Sequence, residues 1–372
     1  MIKFIYFWRV THEKGIDQVI EVFSQLHQEW ITNWFLDIYG DGVLLNQCKN
    51  RAKKLPNNIH VHWRANQNTI HTALHTMHYC LMPSRVIESF WMSALESLSY
   101  WVPVIGTKTW WLEQFISDEY DCNQHTLYAI LKKNISHFSP ENRRKEAKVA
   151  HEIATQYTRE QWIKKVKHMG NTSSVFLISD YIARIWWIES LLFNIKYILE
   201  DDWSHIYMYW WKLKKNKRLW LWRKLWLFST SYNRSNYIKI RLGLAQHKPT
   251  LVWLHSVNRY LWWFPISALQ RSQDKQIWCS VHDIWMFHPF GADVSLVSDI
   301  PEFSLSWFVS VTKNPLKKII IWLKFMSLLL LKKQLMKKVD MWIVPSRFMV
   351  DVLHKKRNIP LIKITTLPHF IS

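Results

Sequence analysis

Glu88 and Glu96 lie eight residues apart in the run ESFWMSALE. That separation carries the second carboxylate from a loop into the helix that follows, so the two can reach different parts of one extended ligand. Ser89, Phe90 and Trp91 open the same helix, where free N–H groups and the helix dipole favour an anionic group. Taken alone, two glutamates at this spacing are equally a solvated helix face. Arg9 and Lys14 follow the first apolar run, where a cation is ordinarily solvated, and His255 and His282 close two later apolar runs. Cys48, Cys80, Cys122 and Cys279 are far apart and form no CxxC pair. Their spacing argues against a zinc site and a disulfide framework and fits a reducing cytosol.

The elements that must position these groups alternate strand and helix. Ile2–Phe7, Phe35–Tyr39, Ile59–His62, Tyr79–Met82 and Val102–Ile105 read as short buried strands, and Ile16–His27, Asn46–Lys54 and Met92–Ser99 as helices between them. Residues 139–168 read as a closing helix pair. A second series begins with Val175–Ser179, a helix at Ile188–Leu199 and a strand at His205–Tyr209, and continues with strands at Thr250–His255, Gln276–His282 and Met341–Pro345. Residues 211–248 and 289–338 give only mixed helix and loop. Repeated βα units imply doubly wound parallel sheets, with ligands beyond the strands' carboxyl ends. The expected organisation is two Rossmann-like α/β domains, 1–168 and 175–372, joined by the linker 169–174. Met1 leads directly into a strand, so no signal peptide is expected. Ile319–Leu331 falls short of the roughly 20 residues a membrane span needs and reads as a core or interfacial helix.

The 372 residues include 25 Trp and only 7 Gly, where ordinary usage gives about 26 glycines. Trp110-Trp111, Trp186-Trp187, Trp210-Trp211 and Trp262-Trp263 are doublets, several of them at strand-to-helix turns. Glycine serves such turns because it reaches positive φ and lets a backbone approach a phosphate closely; tryptophan does neither. The pattern is read as glycine codons, UGA in the source genome, written as tryptophan. A Trp-rich surface for stacking bases or lying in a membrane interface leaves the missing glycine unexplained.

With glycine restored at Trp91, Trp101, Trp110 and Trp111, residues 88–115 closely resemble the donor-binding signature of retaining glycosyltransferases of family 4. The resemblance implies that Glu88 binds hydroxyls of the transferred sugar and that Glu96 holds the nucleotide ribose. FIYFWRVTHEKGID, residues 4–17, is similar to the family's Gly-Arg-Leu-x-x-x-Lys-Gly segment with Trp8 at the glycine. Arg9 and Lys14 would then clamp the donor diphosphate. DIYGDG (37–42) and IHVHW (59–63, with Trp63 at a glycine) fit the next two strand ends.

The second half resembles the acceptor domain of the same enzymes. FLISDYIARIWWIESLLFNI (176–195) looks like its first strand, turn and helix, with Trp186 and Trp187 at two glycines. WCSVHDIW (278–285) resembles the strand whose His282 would face acceptor and donor sugar, and DMWIVPSRFMVDVL (340–353) the segment before the interdomain crossover. In the family the acceptor domain comes first; here the order is inverted. A junction of two tandem genes is favoured over circular permutation, with chains completing each other's clefts as a third explanation.

The resemblance implies a GT-B fold and transfer of a sugar from a nucleotide-diphosphate donor, with retention, to a glycan or lipid-linked acceptor in polysaccharide biosynthesis. No cofactor and no metal are expected, since no Asp-x-Asp motif stands at a strand end. Net charge +21, crowded into Lys212–Lys224 and Lys313–Lys338, fits a cytoplasmic enzyme in peripheral contact with the inner membrane face. Two rivals follow: a non-catalytic or fragmentary transferase-like chain, and a basic nucleic-acid-binding protein.

Overall fold

The computed structural model describes residues 1–55, 58–86, 92–108, 112–123, 126–170, 173–179, 195–200, 205–210, 230–255, 266–281, 304–306 and 314–370. The chain divides into two compact units: Met1–Trp162 with His369–Ser372, and Ile163–Pro368.

The first unit is built on β1 (Ile2–Phe7), β2 (Trp34–Tyr39), β3 (Ile59–Val61), β4 (Tyr79–Met82) and β5 (Val104–Gly106), all parallel, in the order β3-β2-β1-β4-β5. Strands covered on both faces must be apolar almost throughout. Accordingly β4 is buried at every position and β1 at all but Lys3. Helix α1 (Ile16–Gln28) presents Ile16, Val19, Ile20, Phe23 and Leu26 inward, the 3.6-residue stripe that a sheet-packed helix needs. The unit also contains α2 (Leu45–Ala52), α3 (Gln67–Leu74), α4 (Met92–Ser99), α5 (Leu127–Ser136) and α6 (Pro140–Thr155), and α7 (Arg159–Met169) begins in it and continues into the second unit. The last two are the expected closing pair.

The second unit holds a parallel sheet of β6 (Ser174–Ser179), β7 (His205–Trp210), β8 (Leu251–His255), β9 (Gln276–Ser280), β10 (Met341–Val344) and β11 (Ile364–Thr366), ordered β11-β10-β9-β8-β6-β7. The poorly legible stretches contain α8 (Thr230–His247) and α9 (Pro315–Lys338). Helix α9 buries Ile321, Phe325, Leu331 and Leu335 and leaves Ile319, Trp322, Leu323, Met326, Leu329 and Leu330 exposed. Apolar residues on both faces blur the helical period, so that only Ile319–Leu331 read as helix within this span. No helix among the described residues is long and apolar enough to cross a membrane. After β10, Ser346 caps α10 (Arg347–Asp351) by accepting from the Met349 N–H at 2.9 Å.

The described tryptophans differ in their settings. Trp34, Trp253, Trp278 and Trp342 are fully buried core residues. Trp30 and Trp101, in contrast, sit in the left-handed region at φ 61° and 62°. Trp30 N donates to His27 O and Ile31 N to Leu26 O; Trp101 N donates to Leu98 O and Val102 N to Ser97 O. Each pair of bonds is a Schellman closure of the preceding helix, with tryptophan at the position where glycine is usual.

Candidate functional site

Strands β1, β2 and β3 step outward on one side of the first sheet, and β4 and β5 lie on the other side of β1. The crevice between the carboxyl ends of β1 and β4 is therefore a topological switch point, where open α/β sheets bind ligands. The loop 8–15 leaves β1 at this place, and the segment from Pro83 onward leaves β4.

These two loops are fastened together. Arg85 Nη1 donates to both carboxylate oxygens of Asp17 at 2.7 and 3.0 Å and to His12 O at 2.7 Å. Arg85 N donates to Glu13 O at 2.9 Å, and Ser84 Oγ donates to the same carbonyl at 3.3 Å. Gly15, at φ 71°, lies so close to β4's end that a Cβ there would stand 2.0 Å from Pro83 O. Only glycine fits both the dihedral and the contact. On its other side the loop is held to β2's end: Trp8 N donates to Tyr39 O, and Val10 N to Asp41 O. Gly40 permits this approach, since a Cβ there would meet Trp8 O at 1.8 Å. Asp17, Ser84 and Arg85 are positioning residues that the sequence reading passed over. An arginine that ties two loops together is recognised only once those distant loops are known to meet.

Within this frame Arg9 is exposed, and Tyr6 Oη donates to its carbonyl at 2.7 Å. Lys14 is buried, 1% exposed, with Nζ 4.7 Å from the centroid of the Trp8 ring. Burial, aided by the Arg9 charge, pulls the Lys14 ammonium down to about 7, because a low dielectric disfavours the charged form. The two cations expected to act together thus differ: one faces solvent, and the other lies beneath an indole.

Glu96 is on α4, and its Oε1 accepts from Gln67 Nε2 and His71 Nε2 of α3, each at 3.1 Å. In this state the carboxylate is tied to a neighbouring helix. Glu88, Ser89, Phe90, Trp91, Trp110 and Trp111 lie outside the described residues, as do Trp186, Trp187 and His282. Trp63 is 61% exposed, with Lys49 Nζ 5.7 Å from its ring centroid. In the second unit β6 lies between β7 and β8, so its switch point lies at the ends of β6 and β8. Ser179 and His255 close those two strands as register partners, and both are buried. All four cysteines are buried and outside any disulfide. Burial lifts Cys48 to about 11 and Cys80 and Cys122 to about 12, so these three are not nucleophiles at neutral pH.

Residues 2–136 match the family model for glycosyl transferases group 1, and residues 204–372 match that for glycosyltransferase family 4. One match falls within the first unit and the other almost wholly within the second. No curated protein matches the chain. Among solved structures it is similar to the GtfA/B complex, at 21% identity over 45% of this chain and 36% of that one, with a TM-score of 0.39. Another is the catalytic domain of cholesterol-α-glucosyltransferase from Helicobacter pylori, at 17% identity over 42% and 99%, TM-score 0.37. A third is WaaG, a glycosyltransferase involved in lipopolysaccharide biosynthesis, at 19% over 46% and 47%, TM-score 0.37. The match spans about a third of the length of the GtfA/B chain.

Proposed function

We propose that this chain, with one of these matches in its first unit and the other almost wholly in its second, is a sugar transferase of GT-B type. Its first unit takes a nucleotide-diphosphate sugar, and its second takes a glycan or lipid-linked acceptor. The observation that carries the donor assignment is the switch-point crevice, where the Arg9–Lys14 loop is locked against the end of β4 through Gly15 and Arg85. Arg9 and Lys14 would bind the diphosphate there and stabilise charge on the leaving group. Glu88 and Glu96 would hold the sugar and ribose, with Ser89, Phe90 and Trp91 opening the helix towards the phosphate. His282 would face the acceptor, and the reaction would proceed with retention and without metal. Binding of a nucleoside diphosphate to the full chain, followed by calorimetry, tests this. Losing one charge-assisted contact is worth about 1.5–3 kcal/mol, so Arg9→Ala should weaken binding roughly tenfold or more. Equal affinity in the two proteins refutes the donor site.

The reading includes glycine at Trp8, Trp91, Trp110, Trp111, Trp186 and Trp187. The left-handed Trp30 and Trp101 support it, because each occupies a helix-closing position that glycine normally takes. UGG at these codons, or tryptophan at these positions in the mass spectrum of the protein from its source, refutes it. The domain order is proposed to be inverted relative to the family through a tandem-gene junction, and DNA sequence across both ends tests that. Contact with the inner face of a membrane is supported by the exposed apolar residues of α9 beside the exposed Lys318, Lys333 and Lys337, on a helix without Asp or Glu. Cosedimentation with anionic vesicles at low salt should fall when Leu323 and Met326 are both replaced by Glu. Failure of the unaltered protein to bind those vesicles refutes the membrane contact.

A further inference from the structure

We infer that Asp37, His60 and His62 form a site for a divalent transition-metal ion at the outer edge of the first sheet. The backbone register brings the three together. Asp37 pairs with His60 across β2 and β3, and the two-residue alternation of a strand puts His62 on the same face. β3 is an edge strand, so this corner opens to solvent. The Asp37 carboxylate is 10% exposed, whereas the His60 and His62 side chains are 51% and 40% exposed. An ion can therefore enter from the histidine side and meet a buried anion.

The spacing suits coordination. His62 Nε2 lies 2.9 Å and His60 Nδ1 3.8 Å from Asp37 Oδ1, and the three donor atoms fall within 4.8 Å of one another. Ligands about 2.0–2.2 Å from a tetrahedral zinc stand about 3.3 Å apart, so the exposed His60 ring would have to close on Asp37 by about half an ångström. Both rings are already oriented: Tyr39 stacks on His62 with centroids 4.3 Å apart, and Phe35 meets His60 edge-on at 4.7 Å. Two imidazoles and one carboxylate suit Zn²⁺ or Co²⁺ better than Ca²⁺ or Mg²⁺, which take oxygen. Three protein ligands leave one tetrahedral position for water. A bound ion would pin β3 to β2, and it requires no part in sugar transfer.

An ordinary His62–Asp37 hydrogen bond accounts for two of the three groups, so His60 decides the matter. The full-length protein, freed of metal, is titrated with Co²⁺ and followed by its visible absorption, then by displacement with Zn²⁺. One equivalent with tetrahedral ligand-field bands is expected. The exposed His60→Ala should weaken binding by at least tenfold, since even outer partners of metal ligands cost 10–100-fold. His62→Asn should do the same. At one Zn²⁺ concentration the unfolding temperature should rise more for the unaltered protein than for His60→Ala. No saturable Co²⁺ binding, or equal binding by His60→Ala because other members of the 18 histidines are responsible, overturns the assignment.

Discussion

Replacing Trp30 by glycine should stabilise the first unit, although it deletes the largest side chain. Trp30 is 90% exposed and held at φ 61°, so its ring contributes little packing while its Cβ strains the backbone. A left-handed residue with a Cβ costs roughly 1–2 kcal/mol. Glycine gives back roughly 0.4–1 kcal/mol through the greater freedom of its unfolded chain. The balance is a gain of roughly 0.5–1 kcal/mol, or about 2–4 °C in Tm per kcal/mol for a unit of this size. Thermal unfolding of the full chain by circular dichroism reads this directly. Trp30→Ala is the decisive companion, because it removes the indole and keeps the Cβ; it should bring no gain. At Trp101 the gain should be smaller, since its ring stacks on His151 with centroids 4.1 Å apart and that contact is lost. If Trp30→Gly is no more stable than Trp30→Ala, the backbone does not require glycine there, and the argument from the helix closures fails.

Trp8→Gly should uncover the Lys14 amine and return it from about 7 towards the ordinary lysine range, as followed by side-chain ¹⁵N resonances; an unmoved titration would mean that Trp8 is not what buries it. The linkage has a definite sign. Between about 7 in the native state and about 10.4 unfolded, the unfolded chain holds the extra proton, so stability rises with pH across that window and this slope should vanish in the variant. Gly15→Ala sets a Cβ 2.0 Å from Pro83 O at positive φ; a loss of roughly 1–3 kcal/mol in urea unfolding is expected, together with weaker nucleotide binding, and unchanged values would deny the loop its locking role. His78 accepts from Lys3 N at 2.9 Å, and burial, with the charges of Arg143 and Lys3, pulls it down to about 4. Native stability should therefore fall as pH drops from about 6.5 to 4, and His78→Gln should flatten that part of the profile.

Much of this fold was legible because parallel strands buried on both faces are short apolar runs. Ile2–Phe7 and Tyr79–Met82 emerge with the expected bounds, and the other expected strands shift at their ends by one or two residues. Val102 is an instructive miss. It reads as strand, yet its N–H closes α4 by bonding Ser97 O, so β5 starts at Val104. Helix α9 was legible as a helix only over Ile319–Leu331, and its full span of Pro315–Lys338 was not, since apolar residues on two faces blur the period that marks a helix. Asp37, His60 and His62 could not be grouped from sequence, because their meeting depends on the register of β2 against β3. Arg85 was missed on similar grounds, its partners being 68 and 73 positions away.

Lys14 brings the tryptophan question and the functional question to one place. A lysine that binds phosphate should be charged and reachable, yet this one is 1% exposed beneath an indole. The loop around it is not at fault: Gly15, Arg85, Ser84 and the β2 turn all fix the backbone in a form that leaves no slack. Burial penalises the charge of this amine. The Trp8 face, 4.7 Å away, supplies the weak attraction of a ring quadrupole for a cation. A diphosphate would supply full opposite charge and would restore the ammonium. The buried lysine is thus the residue that links the donor-site proposal to glycine at position 8, since removing the indole would open that side of the amine to a diphosphate.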